Sequence, residues 1–228
     1  FRVYFGADFS GQDEGFAFDN IQFKERERMV LLENFTNMAD EDANNIQDNI
    51  IRQILNKDYL DVIHINYHNG FPSSNSFYTY YPSGPSARAL YYGVSDVPYS
   101  IVDGLGQFDY SVGGELEESD VHKRVLVDPP FSISLKQDQQ GGNLVVSAYI
   151  KALESIMGHD IIVHTAIVER TVIEESENYY NVLRTMLPDA AGSLIERDWL
   201  TNDSVNVYKT WTITVGEVNV DSLITIVF

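Results

Sequence analysis

The sequence predicts a mixed α/β unit followed by an antiparallel β-sandwich, with a β-hairpin in front of them. Residues 28 to 55, "RMVLLENFTNMADEDANNIQDNIIRQIL", read as an apolar strand, a short turn and an amphipathic helix. Beyond Pro129 the pattern changes to alternating strands at regular spacing, divided by "QQGGN" and "MGHD" turns. Ahead of both, "FRVYF" and "GFAFDNIQF" alternate and are joined by the turn-forming "GADFSGQDE". The expected units are residues 1–26, 27–126 and 127–228 of the 228.

A lone hairpin is marginal, so the first unit needs partner strands from upstream or from another chain. Its "GFAFDN" strand resembles the closing strand of jelly rolls of the MAM or lectin-like type. In such modules an Asp like Asp19 can bind calcium, and Asp8, Asp13 and Glu14 lie in the adjoining loop. A hard cation takes about six to eight oxygens, so these four carboxylates read either as part of a calcium site or as a solvated acidic turn.

In the second unit, Met29 to Phe35 is the first strand, and Asp40 is the expected N-cap of the helix, with acids in its first turn. Ala43, Ile46, Ile50, Ile51, Ile54 and Leu55 fall on one helical stripe. "DVIHINY" is a strand covered on both faces. "HNGFPSSNSFYTYYPSGPSAR" is a long aromatic loop, "ARALYYG" a helix ending at Gly93, and Tyr99 to Val102 a strand closed by the "DG" turn. In the third unit "FSISLKQD", "NLVVSAYIKAL", "DIIVHTAIVERTVI", "NVYKTWTITV" and "SLITIVF" are strands, and "NYYNVLRTMLPDAAGSLIERDWL" interrupts them as an inserted loop.

Fifteen basic against 34 acidic residues give a formal charge of −19, which repels nucleic acid and anionic lipid and suits calcium, a basic partner or simple solubility. Zero cysteines exclude disulfides, thiolate catalysis and Cys-ligated zinc. No apolar run approaches the roughly 20 residues of a membrane span. Both ends fall inside strand patterns, so the expectation is a piece of a larger protein.

His64 and His68 lie four apart on a strand and share a face, an arrangement open to zinc with a third ligand or to plain hydrogen bonding with the loop that follows. A metal-dependent hydrolase built on this pair is the alternative to a non-catalytic chain. "GxSxG" is absent, and "GGELEESD" reads as a solvated acidic loop rather than a catalytic pair. Phe71, Tyr78, Tyr80 and Tyr81 cluster in the aromatic loop, where they either grip a partner or cover the sandwich.

The order "VLLENFTN", "VIHINYH" with a nearby "FP", "ARALYYGVSDVPYSIVDG" and "YNVLRTMLPDAAG" resembles a family of secreted Bacteroidota outer-membrane proteins. Its members carry a thioredoxin-like domain followed by a small β-sandwich. The resemblance spans about residues 28 to 228. It implies export to the cell surface by type IX secretion, with a C-terminal sorting domain beyond Phe228, and other surface proteins, secretion-system proteins or glycans as partners. In members with thiols a Cys-x-x-Cys pair would fall on Asp40 and Ala43, so the redox site is degenerate here. Val97–Pro98 matches the family's cis-proline, which would sit opposite the helix start and leave a peptide-receiving surface without catalysis. No cofactor other than calcium is expected, and no enzymatic activity.

Overall fold

The computed structural model describes residues 28–40, 45, 49, 51–55, 61–214 and 216–228. The expected jelly-roll hairpin, its candidate calcium residues Asp8, Asp13, Glu14 and Asp19, and Ala43 lie outside the described residues.

Four strands make the first half. β1 (Val30–Thr36) and β2 (Val62–His68) run parallel in full register from Val30↔Val62 to Thr36↔His68. β3 (Tyr99–Val102) lies antiparallel to β1, and β4 (Gly106–Asp109) antiparallel to β3. The β3–β4 hairpin turns at Asp103 and Gly104, both at positive φ (49° and 70°), the conformation for which an Asp-Gly pair is suited. Helices Ser76–Tyr80 and Ser83–Tyr92 occupy much of what the sequence suggested was loop. The second stops at Gly93 (φ 72°), whose N–H closes back on the Ala89 and Leu90 carbonyls. Helix Glu118–Val125 starts with a reciprocal capping box between Glu117 and Asp120.

The second half contributes β5 (Phe131–Gln140), β6 (Asn143–Ala152), β7 (Ile161–Val163), β8 (Thr165–Glu174), β9 (Glu177–Leu187), β10 (Ser193–Ile195), β11 (Ser204–Thr212) and β12 (Leu223–Val227). These strands make two facing layers, as expected of a sandwich, but one layer also joins the first half at the register pair Asn66↔Val182. β12, β8 and β9 extend the first sheet into one mixed seven-stranded sheet of order β12-β8-β9-β2-β1-β3-β4. A three-stranded sheet, β11-β6-β5, lays Leu144 and Val146 against Ile167, Leu187 and Leu223 of the large one, and β10 and β7 pair as a small two-stranded sheet. The boundary expected at residues 126/127 is therefore not a boundary of backbone hydrogen bonding.

The stretch expected as an inserted loop supplies β9, which joins the halves. Its last six residues, Val182 to Leu187, are all buried, so they show no alternation. The pairing skips one residue between Ile167↔Thr185 and Val168↔Leu183, which makes Arg184 a β-bulge.

Of the expected helical stripe, Ile51 and Ile54 are buried with Leu32, Val102, Val121 and Val125 on one face of the sheet, whereas Leu55 is exposed. On the other face Phe35, Ile65, Tyr67, Ile101 and Met186 pack under helix Ser83–Tyr92. In the midst of that apolar face sits the carboxylate of Glu33, 1% exposed. Arg88 grips it with Nε at 2.9 Å and Nη2 at 2.6 Å from Oε1, and the Tyr67 and Tyr92 hydroxyls donate to it at 2.9 and 2.6 Å. Burial, and after it the Glu33 charge, pushes both tyrosine hydroxyls well above their usual pKa, so they stay protonated as donors.

Removing one partner of a buried ion pair leaves the other uncompensated, at a cost of about 3–5 kcal/mol. Arg88→Met should lower the urea unfolding free energy by that amount, and adding Glu33→Met should recover most of it. A loss below about 1 kcal/mol for the single variant would show that the pair does not fix the helix to the sheet.

Candidate functional site

β1 runs out at Thr36 into the turn that leads to Asp40, one of the two positions where the sequence resemblance implies a lost thiol. Asn37 controls the turn. It is fully buried, and its Nδ2 donates to the carbonyls of Asn69 (3.0 Å), Phe71 (2.9 Å) and Ser73, while its Oδ1 accepts from Ala39 N–H at 2.8 Å. Asp40 is half-buried, and its N–H reaches the Asn37 carbonyl at 3.1 Å. Asn75 repeats the device, donating to the Asn69 carbonyl and capping helix Ser76–Tyr80 through Tyr78 N–H. The turn and the aromatic segment are thus one hydrogen-bonded unit. The Val97–Pro98 bond is cis and both residues are buried, Val97 within the core under helix Ser83–Tyr92.

The aromatic side chains singled out by the sequence are half-buried. Phe71 packs on the core. The Tyr78 ring lies over Gly70 and its hydroxyl is 3.1 Å from Ser86 Oγ. Tyr81 accepts from Met186 N–H at 3.2 Å. Tyr80 lies 5.2 Å from the Arg184 guanidinium, which also covers Phe77.

His64, Asn66 and His68 point to one face of β2, as period two requires. They line the seam with β9, where Asn66↔Val182 is the register pair. Asn181 Nδ2 lies 3.2 Å from His64 Nδ1 and donates to the His64 carbonyl at 3.1 Å, while Asn66 donates to the Tyr180 carbonyl at 2.6 Å. A polar row continues across the sheet, with Asn34 donating to Asn66 and Ser100 to Asn34. His68 is buried between Phe77 and Tyr179, and its Nδ1 has no hydrogen-bond partner. Burial lowers the His64 pKa to about 4; burial and then the Arg184 charge lower that of His68 to about 3. Among the described residues no three His, Asp or Glu side chains are grouped to hold a metal, so the zinc reading of His64 and His68 finds no third ligand there.

The bulge at Arg184 creates a feature with no signature in the sequence. Arg184 binds Glu169 through Nε at 2.8 Å and Nη2 at 2.7 Å; both residues are nearly buried, and Glu169 also accepts from Asn219 N–H at 3.0 Å. This pair is the floor of a groove of about 610 Å³ between the outer end of β8 and the loop at 216–219. The volume falls in the range of small-ligand sites, about 300–1,000 Å³.

No protein-family model matches the chain, and no curated protein matches it. Among solved structures it is similar to HBP35 of Porphyromonas gingivalis, with a TM-score of 0.67 over 90% of this chain and 69% of that one, at 12% sequence identity. At that identity the likeness is one of fold.

Two outcomes follow. Asn37→Ala removes the donor to the Phe71 and Ser73 carbonyls, while the Asn69 carbonyl keeps Asn75, and should destabilise the chain by about 1–3 kcal/mol in urea titration. An unchanged midpoint would show that the turn holds without it. His64 and His68 are neutral when folded and have an ordinary pKa of 6.5 when unfolded, so below pH 6.5 the unfolded chain takes up protons first. Stability is therefore complete above pH 6.5 and falls as pH drops toward 4 and 3, by roughly 1 kcal/mol per pH unit for each histidine. His68→Phe keeps the aromatic packing and removes one proton site, so it should flatten this slope without loss of stability at pH 7. An identical slope would remove His68 from the account.

Proposed function

We propose that this chain is a non-catalytic module of a larger protein exported to a bacterial cell surface by type IX secretion, where it acts as scaffold or binding unit toward surface proteins, secretion-system proteins or glycans. The turn after β1 carries the reading. Thiol–disulfide exchange requires a thiolate attacking a disulfide sulfur, and the chain has no cysteine at this turn or anywhere else. What the turn has instead is Asn37, which ties it to the aromatic segment. Placement outside the cell draws on the family resemblance of the four sequence motifs, and the fold likeness to a Porphyromonas protein agrees with it. The charge of −19 suits an exposed, soluble surface. The alternative, a metal-dependent hydrolase on His64 and His68, has less to support it, because both imidazoles are buried in the seam.

Two measurements test this. Purified protein in an insulin-reduction assay should give no rate above the dithiothreitol background; acceleration would overturn the non-catalytic assignment. Protease added to intact cells of the source bacterium should degrade the chain, detected by antibody, while a cytoplasmic marker survives. Full protection of the chain would overturn its placement on the surface.

A further inference from the structure

We propose that the groove beside β8 receives an extended peptide segment bearing lysine or arginine. This deepens the binding-module reading and rests on it. Three observations converge on it.

First, among the described residues the sheet has an open edge there. β12 pairs with β8 only from Thr165 to Glu169, yet β8 continues to Glu174. In an antiparallel strand alternate residues direct both backbone groups to the same neighbour. Glu169 is paired with Leu223 of β12. At Thr171 the Ser222 hydroxyl stands in for a strand, accepting from the N–H at 3.1 Å and lying 3.4 Å from the carbonyl. Ile173, two residues on, directs its N–H and carbonyl to the same side, beyond the end of β12, and its side chain is 71% exposed. An unpaired edge of this kind is what an added strand satisfies.

Second, the groove runs along this edge, with Val172, Ile173 and Glu174 on one wall and Glu217 and Val218 on the other. The apolar side chains suit the methylene stem of lysine or arginine, and the carboxylates suit its charged end.

Third, the charge is one-sided. The cation on the floor, Arg184, is already matched by Glu169. Glu174 and Glu217 line the groove, and Glu175 and Glu177 follow at the hairpin tip; Arg170 on the same strand opposes them only in part. A strand donor with basic side chains satisfies both the backbone edge and the field. A neutral saccharide would use the carboxylates but leave the edge unpaired.

The test is fluorescence anisotropy with the purified chain and an acetylated, amidated octapeptide of alternating lysine and threonine. The expected result is saturable binding that weakens with salt, falls at least tenfold in Glu174→Gln/Glu217→Gln, and falls similarly in Ile173→Pro, which deletes the edge N–H. Thermal melts confirm that the variants fold. The charge-matched Glu154→Gln/Glu196→Gln, exposed residues elsewhere, should bind like the parent. Equal affinity for all variants would mean diffuse attraction to an acidic surface and overturn the site, as would no binding at millimolar peptide. Binding of chitotriose, lost in Glu174→Gln/Glu217→Gln, with no peptide binding would overturn the peptide assignment in favour of a glycan. None of these results bears on surface display, which is read on intact cells.

Discussion

The pairing of β9 with β2 is the constraint on which the rest of the structure depends. β2 would otherwise be the outer strand of a four-stranded sheet, and β12-β8-β9 would be half of a sandwich. Joined at this seam, they make a single sheet with two different coverings. Helix Ser83–Tyr92 touches both β2 and β9, and helix Ser76–Tyr80 touches β9 and, through Phe77, His68 of β2. The seam's side chains are polar but closed: Asn66 reaches a β9 carbonyl, Asn181 reaches back to His64, and His68 is sealed by rings from both halves. Such groups are tolerable in a core only when paired or kept neutral, which accounts for the lowered histidine pKa values.

Two buried ion pairs fix the coverings. Glu33 and Arg88 bind helix Ser83–Tyr92 to the centre of the sheet, and Glu169 and Arg184 organise the outer end of β8 and β9 beneath Phe77 and Tyr80. A third carboxylate, Asp103, takes Arg28 and Arg124 at 2.7 and 3.0 Å and so anchors helix Glu118–Val125 on the opposite face. Buried pairs of this kind contribute little net stability, because desolvation offsets their attraction, but they penalise any arrangement that separates them. In a chain with so few cations, three arginine sites of this type specify where the helices and the hairpin go.

Local chemistry was legible in the sequence where it was self-contained. The apolar strand expected over Met29 to Phe35, the Asp103-Gly104 turn and the helix stop at Gly93 are each decided within a few residues, and each is found in place, whereas "GGELEESD", expected as an acidic loop, runs into helix Glu118–Val125. β9 was not legible, because burial on both faces erases alternation and Arg184 reads as a surface charge until its bulge and Glu169 are seen together. The same holds for the candidate site. The missing thiols were plain from composition, but Asn37 looked like one polar turn residue among several, and its three carbonyl partners lie more than thirty positions away. The groove depends on where β12 stops relative to β8, a matter of register between distant strands. A signal did exist for Glu33: a charge inside an otherwise apolar strand requires a buried partner.

If the seam makes one body of the two halves, they must open together. Native-state hydrogen exchange followed by mass spectrometry reads this directly, by comparing amides of β1 at the centre of the first half with those of β8 and β9 in the second. Both should exchange through the same global opening, with one free energy and one dependence on denaturant. If β1 instead exchanged through a separate opening of lower free energy while β8 and β9 stayed protected, the halves would be independent and the seam would not be the constraint described.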